Sequence, residues 1–416
     1  MKAIINPCKL QGTIRAIPSK SHAHRILIAQ KLAQLQGNGS DNPLQIPSFS
    51  KDIEATKSCL DSLDSPAPRL DCGESGSTIR FMIPVTMALR DSAVFAGSGK
   101  LPQRPLSPLK EEMEAHGAAF TMTGLTGDNV DICAVSGRLR SGTYTLAGNV
   151  SSQFITGLLF ALPILEGNST LNLTTRLESA GYVDLTLDVL RDFGIEIIES
   201  ANYEGLISYE IPGSQQYREP DNLKVQGDWS NASFWLACGA LGGDITCTGL
   251  DMSSSQRDKD IITVLETMGA RISVDGDAVR VSGGSIKAAE VSIAQTPDMA
   301  PVLSVIMAAA SGTSRITDAA RLKIKESDRI AAIGQMISVL GGSISSSDDS
   351  ITVNASGFLD GGTVNSCNDH RIAMAAAAAS CICRKPVIIE DAQAVNKSYP
   401  DFYEDFRTLG GQITKE

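Results

Sequence analysis

Six short polar motifs in this chain combine the residue types that bind anions. They are Lys20-Ser21-His22-Ala23-His24-Arg25, Glu74-Ser75-Gly76-Ser77-Thr78, Asn149-Val150-Ser151-Ser152-Gln153, Asp228-Trp229-Ser230-Asn231, Thr296-Pro297-Asp298 and Asn368-Asp369-His370-Arg371. Lys and Arg bring charge, Ser and Thr bring hydroxyl donors, and Gly76 lets a ligand approach the backbone closely. Each motif runs into a helix-length segment that is apolar on nearly every side: 26–35, 79–89, 154–165, 232–241, 299–310 and 372–381. A helix without a polar face has to be buried. Its N-terminus still carries unpaired N–H groups and partial positive charge. The chemistry expected of such a set is recognition of a strongly anionic small molecule.

A second kind of helix alternates with the buried ones. Val183, Leu187, Leu190 and Phe193 mark one helical face that stops at Gly194, and Ile261, Val264, Leu265 and Met268 another that stops at Gly269. The stretches ending at Gly117, Gly341 and Gly410 look alike, and each glycine precedes a short alternating segment that reads as a strand. These glycines lie 77, 75, 72 and 69 residues apart, and 50–63 supplies a weaker copy without the glycine. Six units follow, each with one buried helix, one amphipathic helix and several strands. Burying six helices requires cover, and the remaining material is strand, so the expected α/β architecture has helices inside and sheets outside. Six units divide as three and three. The chain is expected to cross between halves near Ser19 and again near Gly227, giving one discontinuous domain, 1–19 with 227–416, and a second, 20–226. The first strand then belongs with the C-terminal half, and the ligand is expected in the cleft between the domains.

With 416 residues the chain is long enough for two or three cores. No apolar run reaches membrane-spanning length, and no signal-peptide stretch opens the sequence. Nine cysteines show no CxxC or zinc spacing, so Cys381 and Cys383 read as small core residues and the expected compartment is the reducing cytoplasm. A net charge of −11 argues against a nucleic-acid surface. An acidic chain with local basic motifs suits small anionic substrates. The expectation is therefore of no nucleic-acid partner and no membrane association.

Taken together, the motifs resemble the 5-enolpyruvylshikimate-3-phosphate synthase family. The matches are Pro18-Ser19-Lys20-Ser21 with Arg25, Gly76-Ser77 with Arg80, Arg104-Pro105, Gly148 to Gln153, Pro297-Asp298, Lys325-Glu326-Ser327-Asp328-Arg329, Asn368-Asp369-His370-Arg371 and Lys397-Ser398-Tyr399-Pro400. They occur in family order. The resemblance implies the enolpyruvyl transferase fold, an inside-out α/β barrel of two similar domains, each with three βαββαβ-type units. It implies transfer of the enolpyruvyl group of phosphoenolpyruvate to the 5-hydroxyl of shikimate 3-phosphate through a tetrahedral intermediate, on the route to chorismate. No metal or organic cofactor is implied, and a monomer is expected.

The resemblance also implies site residues. Phosphoenolpyruvate would be held by Lys20, Gly76, Arg104, Gln153, Arg329, Arg371 and Lys397. Shikimate 3-phosphate would be held by Ser21, Arg25, Ser151, Ser152, Gln153, Ser179, Tyr182, Asp298, Arg321 and Lys325. Asp298 is the expected base for the 5-hydroxyl, and Glu326 with Lys20 the expected acid and base at the methylene carbon. Taken alone, Asp298 fits a helix cap equally well, the segment from Lys325 to Arg329 fits a solvated helix start, and His370 fits a core histidine. His22 and His24 read as packing or rim residues. The match departs at three positions: Glu74 stands where the best-known members have Asn, Arg321 where many have Asn, and Phe81 replaces Pro just after Arg80.

Two related activities compete. Transferases acting on UDP-N-acetylglucosamine begin their first motif Lys-Asn and commonly carry a Cys before Arg-Pro, whereas this chain has Lys20-Ser21 and Lys100-Leu101-Pro102-Gln103-Arg104. RNA 3′-terminal phosphate cyclases share related units but serve a polyanion. A non-catalytic anion-binding relative would lack Asp298 or Glu326, and both are present.

Overall fold

The computed structural model describes residues 1–40, 44 and 50–416. Its internal contacts divide the chain into two units, Met1–Ser19 with Gln226–Glu416 and Lys20–Val225. In the second of these, α1 (Lys20–Leu35), α2 (Lys51–Ser62), α3 (Gly76–Leu89), α4 (Leu109–Ala115), α5 (Ser152–Ala161) and α6 (Ala180–Asp192) follow one another. In the first, α7 (Trp229–Ala240), α8 (Ile261–Thr267), α9 (Ala300–Ala308), α10 (Arg329–Val339), α11 (His370–Ala379) and α12 (Phe402–Thr408) repeat the order. The odd-numbered helices are the buried ones, and every residue of α7, α9 and α11 is buried.

The even-numbered helices bury one face. Five of them run into a glycine with positive φ (Gly117, Gly194, Gly269, Gly341 and Gly410), the left-handed stop expected from the spacing. Helix α2 differs one residue later: Asp64, after its C-cap Leu63, does not take positive φ, so that copy needs no glycine. Helix α6 differs in phase from the expected face: Val183, Leu185, Thr186, Val189, Leu190 and Phe193 are buried, and Leu187 only partly. It packs against both α1 and α5, so the buried arc is wider than a single stripe.

Among the described residues there are five four-stranded sheets, all of one design. In each, the first two strands run parallel and the other two extend the sheet antiparallel. Thr143–Leu146 pairs with Ser169–Leu173, for example, followed by Ile207–Ile211 and Ile198–Ala201. Their burial alternates, as in Ser169–Leu173, so one face covers helices and the other meets solvent. Two sheets take strands from the N-terminus. Gln11–Arg15 pairs with Asp244–Thr248, and Ala3–Ile5 lies between Val387–Glu390 and Ile413–Lys415. Each unit has its own apolar core. All nine cysteines are free, with Cys381 and Cys383 buried. No helix among the described residues is long and apolar enough to cross a membrane.

Close packing sets up the helix ends. Pro84 inside α3 cannot donate to the Arg80 carbonyl one turn earlier. That carbonyl faces Gly157 of α5, where an added Cβ would collide with it and lie 3.1 Å from Pro84 Cγ. The approach of α3 to α5 therefore depends on glycine. It sets the N-termini of both helices side by side.

Candidate active site

In the unit Lys20–Val225, the polar motifs form the first turns of the buried helices rather than loops before them. Helix α1 opens with Lys20, whose Nζ lies 2.7 Å from Oδ2 of Asp52 on α2. Helix α3 opens at Gly76, with the Ser75 hydroxyl accepting from the Thr78 N–H. Helix α5 opens at Ser152, with the Ser151 hydroxyl accepting from the Gln153 N–H. Helix α6 follows Ser179, which is buried in the left-handed region at φ 56°, a strained position that puts Tyr182 in the first turn. Hydroxyls bind these starts together: His24 Nδ1, Thr56, Thr78 and Ser75 form a continuous buried chain across α1, α2 and α3.

Four features of this half bear on ligand binding. Arg104 lies against Gly76, where a Cβ would stand 2.7 Å from the Arg104 Cζ. A side chain at this position would push that guanidinium out of its place. Gln153 donates from Nε2 to Ser77 Oγ at 2.8 Å and accepts at Oε1 from Arg80 Nη1 at 2.6 Å. Arg80 also donates to the Pro105 carbonyl, so it joins Gln153 to the Arg104-Pro105 loop. Arg25 is 2% exposed and donates to the Ser21 and Tyr182 carbonyls and to the hydroxyls of Thr156 and Thr186. Burial lowers its pKa to about 9.

The other unit holds Asp298 and Glu326, the two carboxyl groups expected to move protons. Asp298, in the turn Pro297–Met299, accepts from Arg329 Nη1 at 2.7 Å. Lys325 Nζ and Arg371 Nη2 each lie 3.6 Å from its oxygens. Burial alone would raise the Asp298 pKa, but Lys325, Arg371 and Arg329 outweigh it and hold the carboxyl well below its usual range. Arg329 is 1% exposed and also donates to Glu326 at 2.8 Å and to Asp369 at 2.8 Å. It is a buried cation bridging three carboxylates, and Asp369 in turn caps α11 through the Arg371 N–H. Arg371 donates to the Ser230 carbonyl at 3.0 Å. Lys397 donates to the carbonyl of Asn368, which with Cys367 lies in the left-handed region. Lys325 has its pKa lowered, by burial first, with Asp298 opposing and Arg329 and Arg321 adding to the shift. Arg321 itself donates to the Ala294 carbonyl at 2.8 Å.

Four residues not singled out in the sequence belong to these networks. Asp52 and Asp369 are the carboxylate partners of Lys20 and Arg329, and Arg80 orients Gln153. Asp258 is buried beside Asp298 and Arg371, and its pKa is pushed up to about 6 by burial and then by Asp298, with Arg371 opposing. Asp258 follows a run of polar residues and Asp52 follows Ser50-Lys51, and nothing local separates them from solvated acids. Only their spatial partners do. Asp369 and Arg80 already stood inside matched motifs.

The whole arrangement matches known proteins. A family model described as EPSP synthase (3-phosphoshikimate 1-carboxyvinyltransferase) matches residues 48–406. A 3-phosphoshikimate 1-carboxyvinyltransferase of Clostridium kluyveri is 40% identical over 428 residues, covering 98% of this chain and 97% of that protein. One from Clostridium perfringens is also 40% identical, and the match covers 100% of both chains. Among solved structures, EPSP synthase from Acinetobacter baumannii superposes with a TM-score of 0.77 at 22% identity over 100% of both chains. The enolpyruvyl transferase NikO from Streptomyces tendae gives 0.74 at 16% identity, covering 99% of this chain and 98% of that one.

Proposed function

The chain belongs to the EPSP synthase (3-phosphoshikimate 1-carboxyvinyltransferase) family, and on that footing we propose how its residues divide the work. It is a transferase of the shikimate pathway to chorismate and the aromatic amino acids. The enolpyruvyl group of phosphoenolpyruvate passes to the 5-hydroxyl of shikimate 3-phosphate, and phosphate is released.

The 5-hydroxyl oxygen adds to C2 of phosphoenolpyruvate as its proton passes to Asp298. C3 takes up a proton and becomes a methyl group, giving the tetrahedral intermediate. Loss of phosphate from C2, with removal of a methyl proton, then yields the enol ether. Glu326, assisted by Lys20, serves both proton transfers at carbon. Phosphoenolpyruvate is held by Lys20, Gly76, Arg104, Gln153, Arg329, Arg371 and Lys397. Shikimate 3-phosphate falls to Ser21, Arg25, Ser151, Ser152, Gln153, Ser179, Tyr182, Asp298, Arg321 and Lys325.

The observation that carries this reading is Asp298, a part-buried carboxylate ion-paired with Arg329 and flanked by Lys325 and Arg371, which together keep it ionised. Both substrates bring phosphate and carboxylate groups that compete for those cations. As the cations turn to the substrates, the Asp298 carboxylate loses their stabilisation and becomes a stronger base. The side chains supply all the charge this needs, so the reading calls for no metal, organic cofactor, nucleic acid or second copy of the chain. It places the enzyme in the cytoplasm as a monomer.

Phosphate release from phosphoenolpyruvate, measured in parallel with shikimate 3-phosphate and with UDP-N-acetylglucosamine, tests it. Release with shikimate 3-phosphate alone is expected. Release with the nucleotide sugar alone would overturn the substrate, and release with neither would overturn the activity.

A further inference from the structure

Arg25 is an unusual buried cation. Its hydrogen-bond acceptors are two backbone carbonyls and two threonine hydroxyls, all neutral. Among the described residues, none of its partners is a carboxylate. Arg329 and Lys20, by contrast, each sit against at least one. A buried charge without a counter-ion is costly unless something else stabilises it.

Two aromatic rings lie within reach. The Arg25 Cζ is 5.3 Å from the centroid of Phe81 and 6.0 Å from that of Tyr182. Both distances fall in the range where the electron-rich face of a ring attracts a guanidinium. Phe81 is itself locked in place. It is 1% exposed, and its ring meets His24 edge-on at 6.3 Å and 85°. Its backbone lies in the tight α3–α5 contact at Gly157.

We propose that Phe81 is a positioning residue for shikimate 3-phosphate, its ring holding the Arg25 guanidinium in the orientation that receives the anion. This rests on shikimate 3-phosphate being the acceptor. Four of the five Arg25 N–H donors are taken up by neutral oxygens, so one on Nη1 remains to be aimed. The orientation of the guanidinium plane therefore decides whether that donor points at the ligand. The full positive charge is left for the substrate because no carboxylate has claimed it.

The test compares the wild type with Phe81→Leu, Phe81→Met and Phe81→Tyr in steady-state kinetics and in calorimetric titration with shikimate 3-phosphate. Leu and Met remove the ring while keeping most of the volume, so Met gives a second reading if the Leu variant is unstable. Both should raise the KM and Kd for shikimate 3-phosphate about tenfold, equivalent to about 1.4 kcal/mol. The KM for phosphoenolpyruvate and kcat should stay within about twofold of wild type. Tyr keeps the ring and should restore most of the affinity. Equal losses for both substrates, or an unchanged shikimate 3-phosphate KM in the Leu and Met variants, would overturn the positioning role. A wild type that neither binds shikimate 3-phosphate nor releases phosphate with it would instead overturn the functional reading beneath it.

Discussion

Asp298, part-buried, and Asp258, buried, are neighbouring carboxylates driven in opposite directions. Cations hold Asp298 ionised, whereas burial and the Asp298 charge push Asp258 up to about 6. Converting Asp298 to Asn keeps the shape and removes the base. Turnover should fall by about 10²–10⁴-fold while both substrates still bind, because Lys325, Arg329 and Arg371 then have one competitor fewer. Loss of substrate binding with turnover intact, measured by titration beside steady-state kinetics, would rule out the assignment. Asp258 gives a separate signal. Arg371 lowers its pKa, so an anion that engages Arg371 lets that pKa rise above 6. Binding of phosphoenolpyruvate with shikimate 3-phosphate near pH 6.5 should therefore take up protons. Calorimetry in buffers of different ionisation heat would show this, and Asp258→Asn should reduce the uptake. These couplings were not legible in the sequence. The motifs named Asp298, Lys325, Arg329 and Arg371, but the weight of one charge on another depends on distances that only the fold sets.

At the scale of elements, much more could be read in advance. Six apolar segments predicted six buried helices, and the glycines at 117, 194, 269, 341 and 410 predicted where the amphipathic helices stop. Both signals are local: a missing polar face and a left-handed residue need no tertiary partner to be recognised. The phase of α6 was read less well, because its burial answers to α1 and α5 together. The α3–α5 contact was not foreseen either. Gly157 looks like one small residue in an apolar run, and Pro84 looks like a helix breaker. Only together do they give a bare carbonyl packed on a bare Cα. Gly157→Ala should destabilise the unit Lys20–Val225 by roughly 2 kcal/mol, although alanine is the better helix former. It should also raise the KM for phosphoenolpyruvate, since α3 carries Arg80 and α5 carries the Gln153 that it orients. A variant as stable as wild type in denaturant titration would show that the two helices can move apart freely.

For the whole molecule, the two units carry different titratable cores. His22 and His24 are buried in the unit Lys20–Val225, and burial with nearby cations lowers both pKa values, that of His22 to about 4. The unfolded chain takes up their protons first as pH falls below about 6.5. Stability that this unit holds above pH 6.5 is thus lost between there and about pH 4, by up to about 3 kcal/mol for His22. Hydrogen exchange followed unit by unit at pH 7 and pH 5 should show the loss, and His22→Gln should flatten it. An acid response unchanged in that variant would assign the loss to other groups. Periodicity divides the chain into three and three repeats, and each unit holds three buried and three amphipathic helices among the described residues, yet the way the chain closes has a cost in time. Ala3–Ile5 is flanked by Val387–Glu390 and Ile413–Lys415 in one sheet. Ala3–Ile5 must wait during synthesis for both of these partners. At roughly 5–20 residues per second, that wait is about 20–80 seconds. Residues 20–225 can meanwhile collapse onto their own core, so a nascent chain should acquire protease resistance there first. The unit that holds Asp298 and Glu326 can complete this sheet only once residues 387–415 have been made, so the proposed base and acid settle into place later than the groups of the unit Lys20–Val225.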